Sequence, residues 1–326
     1  MRLMPPTRRD GARRRRQAGI AMVTALLIAT LAVSAVASLF WQQQVQVRMM
    51  ENQRLQARAR WVLRAGLDWC RQTLREDAER SPALTTLDGG WNTGPARIRL
   101  DGGADGPRDP ETGADAAPAP SDAGIASRIV DAQARYNLAN LADASTINPA
   151  EIRLYERLLT GLKLDPALAM RAALAVAAGQ PGAEPGTSVR RRVALGRLDE
   201  LAEVPGYTPQ VLAALDAFVV LLPAPADLNL DTAPPELLAA ATRLSPAQAR
   251  ALARRRGQAH FRSMAEFSAA LPDSSVLDGV RVGLRSDYFL VESRIRVEHA
   301  ETQAVSLLYR PRGGAAPIAL LWTRQP

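Results

Sequence analysis

The sequence predicts an α+β fold: a long amino-terminal helix packed on an antiparallel sheet, with a large all-α domain inserted between strands. Three observations carry this prediction. An uncharged apolar run near the start leads into a segment whose apolar residues recur at helical spacing. Residues from about Pro149 to Leu271 consist almost wholly of helix start and stop signals. The last forty residues alternate apolar and polar positions, as half-buried strands do.

Composition narrows the function. The chain has 326 residues, 47% of them apolar and only 5% aromatic, so it can bury a core that is rich in helix and poor in rings. A single cysteine, Cys70, excludes an internal disulfide framework and a cysteine zinc site. The two histidines, His260 and His299, show no metal-ligand spacing. Lys163 is the one lysine in the chain, which leaves little room for Schiff-base or P-loop chemistry. Nothing in this inventory points to an enzyme. The net charge of +8 is concentrated at the start: Arg2, Arg8, Arg9 and Arg13 to Arg16, the seven arginines of residues 1–19, carry +6 after Asp10 is counted. The body is therefore only +2 and is not, by charge, a nucleic-acid binder.

The first element follows from the apolar run. No charged residue occurs from Gln17 to Val47, and Ala18 to Trp41 is apolar apart from Thr24, Thr30, Ser34 and Ser38. About 20 such residues span a bilayer as a helix. Arg13–Arg16 just before them orient the amino terminus to the cytoplasm and the body to the far side, with Trp41 as an interfacial anchor. A cleaved secretory signal has a shorter apolar core, although Ala35–Ala37 offers small residues for such a cut. A twin-arginine signal at Arg8-Arg9 lacks the apolar residue that should follow, and a plain uncleaved anchor remains open. Beyond Trp41, Leu55, Val62 and Trp69 recur every seven residues, and Leu63, Leu67, Cys70 and Leu74 complete a stripe. A helix from Ile20 to Asp77 would run about 90 Å.

The Arg-rich leader ends at Gly19 and the apolar run starts at once with Ile20. This junction resembles that of type IV pilins and pseudopilins. The resemblance implies that a prepilin peptidase cuts after Gly19 and that Ile20 becomes the N-methylated first residue. The family's usual glutamate at the fifth mature position is Thr24 here. In that family the minor pseudopilin K of type II secretion is the member lacking it, which places such a subunit at the filament tip.

Residues 81–124 are rich in Gly, Pro and Asp and read as a loop, with a strand near Ala96–Leu100. Asp101, Asp105 and Asp109, with Gly106, echo a calcium loop weakly, because Thr112 stands where the bidentate glutamate belongs. In residues 126–141, Ile129, Asp131 and Asn137 resemble the segment of pseudopilin K that leads from a strand into helices. Asn148-Pro149 with Glu151 forms a capping-box start, and Asp165-Pro166 restarts a helix. Two hairpins follow, one turning at Pro205-Gly206 and continuing as helix through Leu222, the other turning at Leu244-Ser245. The second, from Leu228, resembles both pseudopilin K and the competence-type helix-hairpin-helix module that binds DNA. Arg254–Arg256 and Arg190–Arg192 are its candidate phosphate surface, but the DNA module wants glycine at the turn. After Ala178 the acidic run of the K family is replaced by residues including Gln180, Pro181 and Pro185, which puts calcium in doubt. Strands at 288–297, 302–310 and 317–324 close the sheet.

The expected organisation is then a leader (1–19), a membrane helix (20–41), its periplasmic continuation (42–80), a loop (81–124), a first strand region (125–145), an inserted helical domain (146–272) and carboxy-terminal strands (273–326). The resemblance implies a pseudopilin fold and a non-enzymatic minor pseudopilin in the bacterial inner membrane. The implied partners are I- and J-type minor pseudopilins, the major pseudopilin, the secretion platform and the prepilin peptidase. No cofactor is expected beyond the weak calcium signal. A membrane-anchored DNA-binding protein and a minor type IV pilin are the alternatives.

Overall fold

The computed structural model describes residues 10–99, 123–143, 146–179, 195–272, 277, 279–298, 300–313 and 316–325. In chain order its elements begin with α1 (Asp10–Arg80), a 3₁₀ turn (Gly90–Asn92), β1 (Ala96–Arg99) and β2 (Gly124–Asp131). The short strands β3 (Tyr136–Asn137), β4 (Ala142–Asp143) and β5 (Thr146–Ile147) precede α2 (Pro149–Gly161) and α3 (Leu168–Gly179). Then come a 3₁₀ turn (Asp199–Glu203), α4 (Pro209–Leu215), β6 (Val219–Val220) and β7 (Leu228–Asn229). The chain finishes with α5 (Pro235–Thr242), α6 (Pro246–Gln258), α7 (Met264–Ala269), β8 (Val282–Gly283), β9 (Tyr288–Val297), β10 (Ala300–Tyr309) and β11 (Ala319–Arg324).

Two compact units divide at Arg60/Trp61. The described side chains of the first lie on α1, and its early part is apolar on every face: Met22, Leu26, Ile28, Leu31, Val33 and Phe40 are each at least 64% exposed. Thr30 and Ser34 hide their hydroxyls by donating to the carbonyls of Leu27 and Thr30, which removes polar cost from an apolar exterior. The helix starts at Asp10 rather than at Ile20. Ala12, Arg13–Arg16, Gln17 and Ala18 are good helix formers, so the backbone ladder runs back through the leader.

In the second unit the sheet has the order β1-β2-β9-β10-β11, antiparallel throughout. Period-2 alternation sets its two faces. Ile125, Ser127 and Ile129 of β2 and Val291, Ser293, Ile295 and Val297 of β9 are buried on one side, while Arg128, Glu292, Arg294 and Arg296 face outward. The buried helix stripe is Val62, Leu63, Gly66, Leu67, Cys70, Leu74 and Asp77. Gly66 is where α1 and β2 come closest, since a Cβ there would stand 2.6 Å from Ile125 Cδ1. Trp91 plugs the loop region expected to be featureless; it is buried edge-on against Phe289 at 5.8 Å.

The segment from Ala132 to Asp287 lies between β2 and β9, which pair with each other from Gly124↔Arg296 to Asp131↔Phe289. Its core is built on Tyr136, Leu154, Tyr155, Leu158, Leu159 and Leu168. Ala169, Ala172 and Ala173 are fully buried on α3, and their small side chains let α3 lie close to its neighbours. Tyr136 stacks on Tyr155 at 5.4 Å, and Tyr155 Oη meets Tyr207 Oη at 3.0 Å. Gly206, at φ +95°, is needed because a Cβ there would meet Arg171 Nη1 at 2.5 Å.

Three local expectations are corrected. The helix expected through Leu222 stops at Leu215, and Val219-Val220 form β6, parallel to β3. The β-branched pair and the following Pro223 favour extended chain. Residues 199–203 form only a 3₁₀ turn, cut short by Pro205. The capping box of α2 is half made: Asn148 Oδ1 accepts from the N–H groups of Ala150 and Glu151, but the Glu151 carboxylate turns inward to Arg281.

Arg310, at the end of β10, is 2% exposed and donates to Asp77 Oδ2 at 3.0 Å, to Thr85 Oγ1 at 2.6 Å and to the Ser286 carbonyl at 2.8 Å. Burial works against both charges of the Arg310–Asp77 pair, and their contact offsets it. Removing one partner strands the other, so Arg310→Met is expected to lower unfolding stability by about 3–5 kcal/mol. Arg310→Met with Asp77→Leu should recover part of that loss, read as urea midpoints.

Candidate functional site

The densest polar constellation among the described residues lies where β2, β7 and the approach to β9 meet. Asp131 caps the short turn Ala132–Ala134, accepting from Gln133 N–H at 2.8 Å through Oδ1. Its Oδ2 accepts from Ser286 Oγ and Thr232 Oγ1, each at 2.6 Å, and from Asn229 Nδ2 at 3.0 Å. Asn229 also donates to the Thr85 carbonyl at 2.9 Å. Burial raises the Asp131 carboxyl above the usual carboxylate range, and the Ser286 and Thr232 hydroxyls, the Gln133 N–H and the Asn229 amide hold it down. With four donors aimed at it, Asp131 is a fixed acceptor, not an open base.

A second device sits beside it. The segment Leu222-Pro-Ala-Pro-Ala226 cannot pair as an ordinary strand because its prolines lack N–H groups. Two asparagines replace the missing ladder. Asn137 donates to the Ala224 carbonyl at 2.8 Å and accepts from Leu222 N–H at 3.0 Å. Asn140 donates to the Ala226 carbonyl at 2.8 Å and accepts from Ala226 N–H at 2.9 Å. Asp131 and Asn137, singled out in the sequence, are therefore brought together with the inserted helices. Asn140, Asn229, Thr232 and Ser286 were missed, although the Leu-Asn-Leu spacing shows polar residues set in apolar surroundings, the mark of buried, satisfied amides.

The other sequence candidates separate. Gly19 and Ile20 lie within α1, and their surroundings are outside the described residues. Thr24 lies on the same helix with an exposed side chain. Residues 101–112 and Arg190–Arg192 lie outside the described residues, and among those described no cluster of acids, histidines or cysteines could hold a metal ion. Among the described residues no helix is long and apolar enough to cross a membrane. Burial pushes the Cys70 thiol up to about 12, so it stays protonated.

The proposed DNA hairpin is built differently from a phosphate cradle. Ser245 caps α6, its N–H donates to Gln248 Oε1 at 2.9 Å, and Gln248 N–H returns to Ser245 Oγ. Pro246 supplies no donor. Arg256 points inward, giving Nη1 to the carbonyls of Leu230 and Ala233 at 2.6 and 2.8 Å. The Ser245 and Gln248 N–H groups and the innermost arginine are thus already used.

These inserted helices are also where family comparison falls. Residues 134–224 and 228–284 each match a family model described as type II secretion system (T2SS), protein K. The two matches meet at the proline segment clamped by Asn137 and Asn140. The type II secretion system protein K of Pseudomonas aeruginosa is 26% identical over 92% of this chain and 91% of its own length. Over these residues the chain is similar to the type II secretion system protein K family. In fold it is similar to a chain in the crystal structure of the GspK-GspI-GspJ complex from the enterotoxigenic Escherichia coli type 2 secretion system. The TM-score is 0.63 at 20% identity, over 86% of this chain and 99% of the other.

Glu151 gives the inserted domain a pH dependence. It is fully buried, with Oε1 accepting from Arg281 N–H at 2.6 Å and Oε2 lacking a partner among the described residues. Burial raises its carboxyl to about 7, offset in part by that N–H and by Arg281. A folded value above the ordinary one means that its contribution to stability is complete below about pH 4.5 and is lost as pH rises through about 7. Urea midpoints should therefore fall between pH 5 and pH 7.5, and Glu151→Gln should flatten that decline by about 3 kcal/mol at most.

Proposed function

We propose that this chain acts as a minor pseudopilin of a type II secretion system, at the tip of a periplasmic pseudopilus that supports protein export. The observation that carries the proposal is the double character of α1. Its early side chains are apolar on every face and uncovered, while Val62 to Asp77 form a buried stripe. A helix hydrophobic all round needs an apolar environment that its own chain does not supply. On this reading Ile20–Trp41 anchors the protein once in the inner membrane, with residues 1–19 cytoplasmic and the body periplasmic. The prepilin peptidase would cut between Gly19 and Ile20 and methylate Ile20. Thr24, standing in place of a carboxylate that would need a buried counter-charge, suits a subunit with no neighbour above it. The partners proposed are I- and J-type minor pseudopilins, as in the solved complex, together with the major pseudopilin and the inner-membrane platform. The work is assembly and transmission of a push, so no catalytic residue is assigned.

Intact mass and amino-terminal sequencing, with and without co-expressed prepilin peptidase, test the leader. Loss of residues 1–19 and a methylated Ile20 should appear only with the peptidase; an intact leader in both samples refutes it. Thr24→Glu should change pseudopilus initiation or length when pili are counted in secreting cells, and an unchanged count removes the tip assignment.

A further inference from the structure

Three arginines gather where α2 meets the turn between α5 and α6. Arg157, half-buried on α2, donates from Nε to the Ala240 carbonyl at 2.6 Å. Arg153 lies one turn earlier on the same helix, and Arg243 closes α5; both are exposed. They are near enough that, after burial, Arg243 and then Arg153 weigh most against the Arg157 charge. The acids opposing this are Glu156 and Glu151, and Glu151 already accepts from Arg281 N–H. Among the described residues neither Arg153 nor Arg243 makes a hydrogen bond or ion pair. Arg250 and Arg254 on α6 are likewise exposed without such a partner among the described residues, whereas Arg197 pairs with Asp199, and Arg294 and Arg296 pair with Glu301.

Arg243 supplies a second, independent observation. Its backbone is left-handed, φ 55° and ψ 16°, at the position after a helix where glycine is usual. An arginine there costs conformational energy, and strain of this kind persists at sites that bind. Like charges and a left-handed backbone, which Lys163 and Glu298 also adopt, fall on one spot, where the Arg157–Ala240 bond and the two glutamates offset part of the charge.

We propose that Arg153, Arg157 and Arg243 form a docking site for an acidic, carboxylate-bearing segment of a protein partner. Guanidinium forks match carboxylates two bonds at a time, and an incoming carboxylate relieves the crowding. A nucleic-acid occupant is disfavoured because the adjacent Ser245 and Gln248 N–H groups are committed to each other's side chains. The proposal goes beyond the pseudopilin reading and does not depend on it.

The test uses the full-length chain in detergent at low salt, titrated with fluorescent hexaglutamate. Arg153→Gln with Arg243→Gly should weaken binding about tenfold or more, as expected for losing charge-assisted contacts. A control that removes the same charge from the sheet, Arg294→Gln with Arg296→Gln, should weaken it less than about twofold. Arg243→Gly alone should raise Tm, since it relieves both strain and repulsion. Equal loss in the two double variants would reduce the effect to unspecific charge and overturn the site. A lower Tm in Arg243→Gly would make the side chain structural, with the same consequence. Competition by a duplex oligonucleotide that depends on the same arginines would overturn the acidic partner in favour of nucleic acid.

Discussion

The buried carboxylate of Asp131 is the contact on which the architecture of the second unit depends. β2 and β9 are neighbours in the sheet, yet more than 150 residues separate them in sequence. Chain leaving β2 must enter the inserted helices and chain re-entering β9 must return from them at nearly the same point. Backbone and side-chain polar groups crowd where the two crossings meet, and each must be paired or carry a desolvation cost. Asp131, at the last position of β2, collects the outgoing turn through Gln133, the insertion through Asn229 and Thr232, and the returning chain through Ser286. Asn229 and Arg310 extend the same network to Thr85, and Arg310 reaches Asp77 at the end of α1. Helix, sheet and insertion are thus joined by directional bonds as well as by apolar packing.

Within the insertion, apolar burial and small residues do most of the work. Ala-rich α3 lies close to its neighbours, while Tyr136, Tyr155 and Tyr207 fill the middle and satisfy their hydroxyls on one another or on backbone. The prolines of residues 222–226 remove two donors from a segment that must run through buried surroundings. Asn137 and Asn140 supply matched donor–acceptor pairs in their place. An amide is the one neutral side chain able to mimic both halves of a ladder rung.

In the interior Arg310 pairs with Asp77 and Arg256 with carbonyls, whereas Glu151 and Asp231 each keep one carboxylate oxygen without a partner among the described residues. On the outward side of the sheet Arg294 and Arg296 pair with Glu301, and Arg128 stands opposite Glu292 in the register.

The sequence by itself determined the classes of element and their order. An uncharged apolar run, the stripe from Val62 to Leu74, the caps at Asn148 and Asp165 and the alternation after Tyr288 are local patterns, and each sets local conformation. Asp131 and Asn137 were legible as unusual polar residues at a strand exit. The tertiary structure alone decided what they bind, because Asn229, Thr232 and Ser286 lie about a hundred residues or more away from Asp131 and no local periodicity relates them. It also decided that Val219-Val220 is strand, since a parallel partner at Tyr136-Asn137 outweighs weak helix propensity there. Likewise Glu151 leaves its expected cap: its carboxylate accepts from the distant Arg281 N–H, while Asn148 already satisfies the helix terminus.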